Sequence, residues 1–366
     1  MTGAEPSGHA PGDMGMAEMD GVPVLAVCGP RNSGKTTLIE AVMPRLLALG
    51  LKVAVLKESG RPLDVDRPQK DSDRLFRAGA DVVLLAGEEQ FLRRHGGGDL
   101  RIQDAAAEAA EFYDLVLVEG HRGTALPMVW LTDEGGTACP EGAASLLARL
   151  PWNSDRPAAL LSIIEEWLPH LWRAAPVYAG VLIGGASTRM GSPKHLLKAA
   201  GQSWLERTVG QLAGAAAETV LLGRGEVPAS LAGLHRLPDA PDASGPMAGV
   251  LSAMRWARLA SWLIVACDMP HITREAVDWL LSLRRPGVWA VIPRLGEGRP
   301  LEPLLAYYDF RVRPLLERLA AAGCFKAAEI ARSSKVVTPV PPPELAGAWA
   351  NVNRPEDLAD FGGNRP

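Results

Sequence analysis

The apolar run Val22 to Val27 leads directly into Gly29-Pro-Arg-Asn-Ser-Gly34-Lys35-Thr36-Thr37, and a segment of helical composition, Thr36 to Leu49, follows. Strand, G-x-x-x-x-G-K-T loop and helix in that order make a P-loop. Its glycines let backbone N–H groups close around an anion with no Cβ in the way, and the helix N-terminus adds partial positive charge. Lys35 is placed to reach the β- and γ-phosphates of a nucleotide, and Thr36 to hold Mg²⁺. Gly29, Asn32, Ser33, Gly34 and Thr37 complete the candidate loop. A phosphate loop between a buried strand and a helix belongs to an α/β sheet, which the next elements support.

Gly50 stands where a helix C′ glycine is expected. Lys52 to Lys57 is the next strand, and a polar, proline-containing stretch runs from Glu58 to Lys70. Asp71 opens a helix that ends near Gly79, Asp81 to Ala86 is a third strand, and Asp99 to Phe112 has helical composition. Asp114-Leu-Val-Leu-Val-Glu119-Gly120 reads as a buried strand with an acid at its end, the place of a nucleotide-site carboxylate near Mg²⁺. This alternation predicts a doubly wound, mostly parallel sheet. Arg122 to Arg173 is less legible: Gly135-Gly136 and Pro140 mark loops. Ala158 to Trp172 predicts an amphipathic helix with Leu161, Ile164, Trp167, Leu168 and Leu171 facing the core.

A chain of 366 residues exceeds one ordinary core and predicts two domains, with Ala174-Ala175-Pro176 as the boundary. The expected division is a disordered tail over 1–21, a first domain over 22–173 and a second over 177–361. The tail has no basic segment followed by an apolar one, so it does not read as a signal peptide. Hydrophobic content of 47% with 22% charged residues describes a soluble globular protein. No apolar run approaches the roughly 20 residues of a membrane span. A net charge of −4 gives no reason to expect nucleic acid or an anionic membrane as partner. Four scattered cysteines, Cys28, Cys139, Cys267 and Cys324, lack C-x-x-C spacing, which argues against zinc or a disulfide framework and for a reducing cytosol.

The second half opens on another apolar strand, Val177 to Ile183, that breaks into Gly184-Gly185 and a short polar loop carrying Arg189, Gly191 and Lys194. Three glycines and two cations so close together predict a second phosphate site, with Arg189 as a planar fork and Lys194 as a point charge. Ser203 to Ala217 reads as a helix and Glu218 to Leu222 as a strand. Asp239 and Asp242 flank Pro241 ahead of the turn Gly245-Pro-Met-Ala-Gly249 and a helix Val250 to Ala257. Trp262-Leu-Ile-Val-Ala-Cys267-Asp268-Met-Pro270 is a buried strand ending in an acid. A carboxylate at the C-terminal end of a parallel strand faces the ligand crevice, and one or two such groups suffice for Mg²⁺ on a triphosphate. Cys267 reads as a small core residue. Val288 to Pro293 is a further strand, and Ala320 to Lys335 carries no legible chemistry.

Leu182-Ile-Gly184-Gly185-Ala-Ser187-Thr-Arg189-Met190-Gly191-Ser-Pro-Lys194 resembles the molybdenum cofactor guanylyltransferase (MobA) signature, roughly L-x-G-G-x-S-x-R-M-G-x-x-K, of nucleotidyltransferases with a GT-A-like, Rossmann-like α/β fold. The Asp239 to Gly249 element, with Met247 for the usual Leu, Cys267-Asp268-Met269-Pro270, Glu302-Pro303-Leu304 and Asn351-Val-Asn353-Arg-Pro355-Glu356-Asp357 follow in that family's order. The first half resembles the MobB family, a P-loop partner of molybdopterin guanine dinucleotide synthesis. It does so through the P-loop, Val53 to Lys57, Asp66-Arg67-Pro68, Lys70-Asp71-Ser72, Ala78-Gly79-Ala80 and Leu117 to Gly120. That family commonly carries histidines just after Lys57, where this chain has Glu58-Ser-Gly60-Arg.

The resemblance implies transfer of GMP from GTP to molybdenum-bearing molybdopterin, with Mg²⁺ held by Asp268 and pyrophosphate released. It implies nucleotide contacts from Leu182, Gly184, Gly185, Lys194, Asp239, Gly245 and Asp268, catalytic roles for Arg189, Lys194 and Asp268, and acceptor contacts from Asn351 and Asn353. The first domain would bind GTP through its loop and Glu119 as an accessory, and molybdoenzyme apoproteins and cofactor-insertion chaperones would be partners in the cytoplasm. Transfer of cytidylate, or of a nucleotide to a sugar phosphate, a catalytically inactive carrier, and a kinase activity of the first domain stay open at this point. Gly185 and the Gly245 turn argue for guanylate.

Overall fold

The unbroken apolar run Val24–Cys28 forms β1, a strand with every residue buried. The computed structural model describes residues 22–57, 71–79, 82–86, 89–93, 102–120, 126–139, 145–184, 193–199 and 201–351. After β1 come α1 (Lys35–Ala48), β2 (Val53–Lys57), α2 (Asp71–Arg77), β3 (Val82–Ala86), β4 (Glu89–Arg93), α3 (Ile102–Ala110), β5 (Leu115–Glu119), β6 (Met128–Leu131), β7 (Leu146–Leu150) and α4 (Arg156–Ala174). Five of the strands make one sheet in the order β2-β5-β1-β6-β7, every pair parallel. β1 and β5, the two most continuously apolar runs, lie next to each other in its interior, as burial on both faces requires.

The structure departs from or adds to the sequence reading of this half at four points. The strand expected over Asp81 to Ala86 does not join the main sheet; β3 pairs antiparallel with β4 as a separate two-stranded unit. β6 and β7 complete the sheet inside the stretch that was illegible, because short strands of four and five residues carry too little periodicity. In α4 the buried line is Leu160, Ile164, Leu168 and Trp172, so the predicted stripe is right at Ile164 and Leu168, while Leu161, Trp167 and Leu171 are half-buried. The helix also starts earlier than predicted: the Asp155 carboxylate accepts the Ala158 N–H at 3.1 Å, closing its first turn.

The chain separates into a unit over Val22–Glu165 and a second that begins at Glu166, within α4 and ahead of the Ala174 to Pro176 boundary expected from sequence. The last turns of α4 pack with the second unit. The Arg311 guanidinium lies 4.2 Å from the Trp172 ring centroid, and Arg284 Nη2 donates to the carbonyls of Trp172 at 2.7 Å and Ala175 at 2.8 Å.

The second unit continues with β8 (Val177–Leu182), β9 (Lys198–Ala199), β10 (Gln202–Ser203), α5 (Trp204–Leu212), β11 (Glu218–Leu222), β12 (His235–Leu237), α6 (Pro246–Trp256), β13 (Ser261–Ala266), α7 (Arg274–Ser282), β14 (Ala290–Val291), β15 (Ala306–Tyr308), α8 (Arg313–Ala321) and β16 (Val336–Val337). Its sheet runs β12-β11-β8-β13-β15-β14-β16, with β15 antiparallel to both neighbours and the other pairs parallel. One apolar cluster, including Leu205, Leu212, Val277 and Leu280, covers one face, and a second, including Met247, Leu251, Met254 and Leu316, covers the other. Helix bounds differ from expectation: α5 stops at Leu212, α6 starts at Pro246, and only Ala290–Val291 of the run Val288 to Pro293 pairs as strand.

Two local devices here have measurable consequences. Ser203 accepts the Glu206 N–H at 3.1 Å while the Glu206 carboxylate accepts the Ser203 N–H at 2.8 Å, a reciprocal cap on α5. We expect Ser203→Ala to lower stability by about 1 kcal/mol in denaturant unfolding; no change would show that the cap is already satisfied by solvent. Arg311 and Asp309 form a buried pair at 2.8 Å with side chains 2% and 3% exposed. Asp309→Ala removes the carboxylate that pairs with this buried guanidinium, so a loss of about 3–5 kcal/mol is expected in the same measurement.

Candidate functional site

In the first unit the loop after β1 reverses through Asn32 (φ 62) and Gly34 (φ 86), both left-handed. Left-handed residues in a glycine-bearing loop ahead of a helix are the kind of backbone from which anion nests are built. Lys35 Nζ arches back over the loop and donates to the carbonyls of Gly29 at 3.1 Å and Pro30 at 2.6 Å. Thr36 Oγ1 donates to Glu119 Oε1 at 2.7 Å, so the predicted pair of Thr36 and Glu119 does meet. Asn32 and Thr37 are exposed at the loop and the first turn of α1. Ser33 is fully buried, its N–H donating to the Pro30 carbonyl at 3.4 Å, so its side chain does not face solvent as a loop hydroxyl would.

Lys57 was not assigned a role from sequence. It ends β2 in register with Glu119, donates to both Glu119 oxygens at 2.9 and 3.1 Å, and comes within 3.4 Å of Thr36 Oγ1. The readable signal was positional: a lysine as the last residue of the strand beside the carboxylate. Burial works to raise the Glu119 carboxyl, but hydrogen bonds from Thr36 and Lys57 and the charges of Lys57 and Lys35 outweigh it and hold it below the ordinary carboxylate range.

In the second unit β8, β11 and β13 end level, Leu182 standing in register with Leu222 and Ala266. Beyond them Ile183-Gly184, Gly223 and Cys267-Asp268 follow at the same edge of the sheet. The backbones close tightly there: a Cβ on Gly223 (φ 109) would lie 2.2 Å from the Ile183 carbonyl oxygen, and one on Gly184 (φ 100) 2.9 Å from that of Arg224. Asp239 Oδ1 is 3.8 Å from the Cβ positions of both Gly223 and Gly249, which puts its carboxylate at the same edge. Leu182 is half-buried and packs toward Gly249. Gly245 (φ 60) precedes Pro246 at the first turn of α6.

Lys194 Nζ and Asp268 Oδ2 are 3.1 Å apart, their side chains 19% and 25% exposed. The two residues are 74 positions apart in the chain, and the fold brings them together as the sequence predicts. Lys194 opens a single 3-10 turn. The next residue, His195, is buried, with Nε2 2.8 Å from the Glu226 carbonyl oxygen. His195 therefore fastens the lysine's turn to the loop after β11, a positioning contact with no sequence signal beyond adjacency. Cys267 is buried, and burial first, then the Asp268 charge, pushes its thiol up to about 12, so it is no nucleophile at neutral pH.

Asp242 accepts two bonds from Arg255 at 2.7 and 2.8 Å, and Arg255 also holds Glu317 at 2.6 and 2.9 Å. Those bonds hold the Asp242 carboxyl down at about 2, a structural use that separates it from Asp239. Asn351 is exposed at the end of the described chain. An open cleft of about 340 Å³ lies between His271 and Thr273, just past Asp268, and Glu344 to Ala350, which lead to Asn351. Gly185, Arg189 and Asn353 lie outside the described residues.

Among the described residues no three His, Cys, Asp or Glu side chains converge as a metal cluster. Asp268 and the Thr36–Glu119 pair are instead sparse oxygen donors, the set that suits Mg²⁺ arriving on nucleotide phosphates. Also among the described residues, no helix is long and apolar enough to cross a membrane. We expect Lys194→Ala to reduce use of nucleotide by at least about tenfold in kcat/KM, about 1.4 kcal/mol. Lys198→Ala should have little effect, since Lys198 is exposed on β9. Equal losses in steady-state kinetics would remove the specific role of Lys194.

Fold and site together define a P-loop nucleotide-binding unit followed by a nucleotidyltransferase. The family model for molybdopterin guanine dinucleotide synthesis protein B matches residues 24–148, and that for the MobA-like NTP transferase domain matches residues 179–336. The chain is 34% identical to a probable molybdenum cofactor guanylyltransferase of Pelotomaculum thermopropionicum, over 39% of this chain and 69% of that protein. With a probable molybdenum cofactor guanylyltransferase of Opitutus terrae the identity is 36%, over 50% of this chain and 94% of that protein. It is also 34% identical to a molybdopterin-guanine dinucleotide biosynthesis adapter protein of Haemophilus influenzae, over 41% of this chain and 91% of that protein. The chain belongs to both families: the guanylyltransferase family through its second half and the adapter family through its first.

Proposed function

We propose that the second unit joins GMP, taken from GTP, to molybdopterin bearing molybdenum, giving molybdopterin guanine dinucleotide and pyrophosphate. The observation that carries this reading is the Lys194–Asp268 pair at 3.1 Å beside the level ends of β8 and β13. An oxygen of the acceptor's terminal phosphate attacks the α-phosphorus of GTP. A new P–O bond forms, and the bond from the α-phosphorus to the bridging oxygen breaks, its electron pair leaving with pyrophosphate. The nucleophile is already an anion, so the site needs positioning and charge neutralisation more than a strong base. Lys194 and Arg189 supply positive charge, the loop amides of Gly184 and Gly185 orient phosphate oxygens, and Asp239 and Gly245 border the nucleoside. Asp268 would hold Mg²⁺, which supplies charge neutralisation on the phosphates when bound. The open cleft lined by Ala350 would take the acceptor, with Asn351 and Asn353 as its contacts.

The first unit binds GTP through Gly29 to Thr37, with Thr36 and Glu119 toward Mg²⁺, hydrolyses it slowly and serves the same pathway as an accessory. The protein works in the cytoplasm, a setting that suits its free cysteines, and hands its product to molybdoenzyme apoproteins or their cofactor-insertion chaperones. Product analysis after mixing the protein with Mg²⁺, each NTP in turn and molybdenum-bearing molybdopterin tests the reading. The guanine dinucleotide and pyrophosphate should appear with GTP alone; formation only with CTP, or no product from folded protein, would overturn it.

A further inference from the structure

The geometry points to Arg156 as a positioning residue of the P-loop site, clasping the loop so that its amides face the nucleotide phosphates. The inference rests on the reading of Gly29 to Thr37 as a nucleotide site. Arg156 opens α4 and is 8% exposed, although it carries a full charge. Its Nη1 donates to the Ser33 carbonyl at 2.8 Å. Its Nη2 donates to the Leu150 carbonyl at 3.2 Å and to the Thr132 carbonyl, and its Nε to the Pro151 carbonyl at 3.0 Å. One planar fork therefore ties together the P-loop after β1, the residue after β6, and the end of β7. The Trp152 ring, 5.3 Å from the guanidinium, closes the remaining side. Only a guanidinium presents enough fixed donors for this; an ammonium is a point charge on a flexible stem.

Peptide planarity links this clasp to ligand binding. The Ser33–Gly34 peptide is trans, so the Ser33 carbonyl and the Gly34 N–H share a plane and point in opposite directions. Holding the carbonyl down on Arg156 aims the Gly34 N–H to the other side, away from the guanidinium. Gly34 is left-handed and is the residue before α1, so the N–H groups of Lys35 and Thr36 continue the same array at the helix N-terminus. A loop held this way has less to reorganise when phosphate arrives.

Electrostatics points the same way. Among the described residues the partners of Arg156 are carbonyl oxygens and an indole face, with no carboxylate. A buried cation without a counter-charge is costly, and burial alone pushes the Arg156 guanidinium below its ordinary range. Nucleotide phosphates bound on the opposite side of the Ser33–Gly34 peptide would bring the counter-charge that the described residues do not provide there.

Calorimetry of the full chain with a non-hydrolysable GTP analogue and Mg²⁺ tests this, the binding event that Lys35→Ala removes being that of the P-loop. In Arg156→Lys that event should weaken at least tenfold while the other event is unchanged and the Tm without nucleotide falls by only a few degrees. Arg156→Met, which fills similar space without donors, should weaken it further and should also reduce the rise in Tm that the nucleotide produces. A folded Arg156→Lys protein that binds within twofold of wild type overturns the inference. So does a loss of affinity in both variants that follows the drop in ligand-free Tm, because a packing role alone would then explain it. If Lys35→Ala removes no binding event, the P-loop reading falls and the role of Arg156 with it, a failure distinct from the first.

Discussion

Asp268→Asn is expected to cut guanylyl transfer at least a hundredfold, about 2.7 kcal/mol in barrier, with little change in thermal unfolding. Asparagine keeps the shape of the side chain and removes its charge. The carboxylate stands at the end of β13, 3.1 Å from Lys194, and is a quarter exposed. It is not a core group whose loss would unfold the sheet; the buried strand Ser261–Ala266 supplies that stability. What the substitution removes is the anion that balances Lys194 and would hold Mg²⁺ against the triphosphate. Transfer should therefore recover partly at high Mg²⁺, and the KM for GTP should become more dependent on Mg²⁺ concentration. A folded variant that keeps more than about a tenth of the rate would remove Asp268 from the metal site.

The sequence was most informative where chemistry and strand ends coincide. Cys267-Asp268 reads as a carboxylate at the mouth of a sheet because it directly follows the apolar run Trp262 to Ala266, and the C-terminal end of a parallel strand faces the ligand crevice in such sheets. The same logic found Glu119 at the end of β5. It missed Lys57 because β2 is a partly exposed strand with Lys57 exposed at its end, and an exposed lysine on a short strand looks like ordinary surface. His195 and Arg156 escaped for another reason. Their partners are the carbonyl oxygens of Glu226 and of Ser33, Thr132, Leu150 and Pro151. Any residue type can offer a carbonyl, so no pattern in the sequence marks such contacts.

Fold errors follow the same division. β1, β5, β8, β11 and β13 were legible as apolar runs, whereas β6 and β7 hid in a stretch broken by Gly135, Gly136 and Pro140. β3 is legible as a strand, but its separate pairing with β4 is not, since periodicity reports that a segment is extended and not what it pairs with. Pro246 illustrates how a helix start is misread. Proline suits the first turn because that turn needs no N–H from it, yet Gly-Pro is equally a turn signal, so the sequence places the start of α6 four residues late, at Val250.

Lys35→Ala is expected to abolish nucleotide binding and any slow hydrolysis in the first unit while leaving purified guanylyl transfer within about twofold of wild type. Lys35 now holds the carbonyls of Gly29 and Pro30, and its ammonium is the group placed to meet phosphate at that loop. Every residue assigned to transfer follows Val177 in the chain, and the sheet whose strand ends precede Gly184 and Asp268 is built only from strands of the second unit. A fragment carrying that unit should therefore transfer GMP without the P-loop, and the structure says where to start it. The sequence boundary at Ala174 would delete Trp172, a residue 4% exposed that covers Arg311 and whose carbonyl accepts from Arg284. Loss of a buried tryptophan typically costs about 3–5 kcal/mol. A fragment from Glu166 should fold and transfer at near the full-chain rate, and one from Ala175 should unfold at markedly lower denaturant. Equal stability of the two fragments would mean that the end of α4 is dispensable to this unit. Loss of transfer in folded Lys35→Ala protein would mean instead that the two halves share one obligatory mechanism.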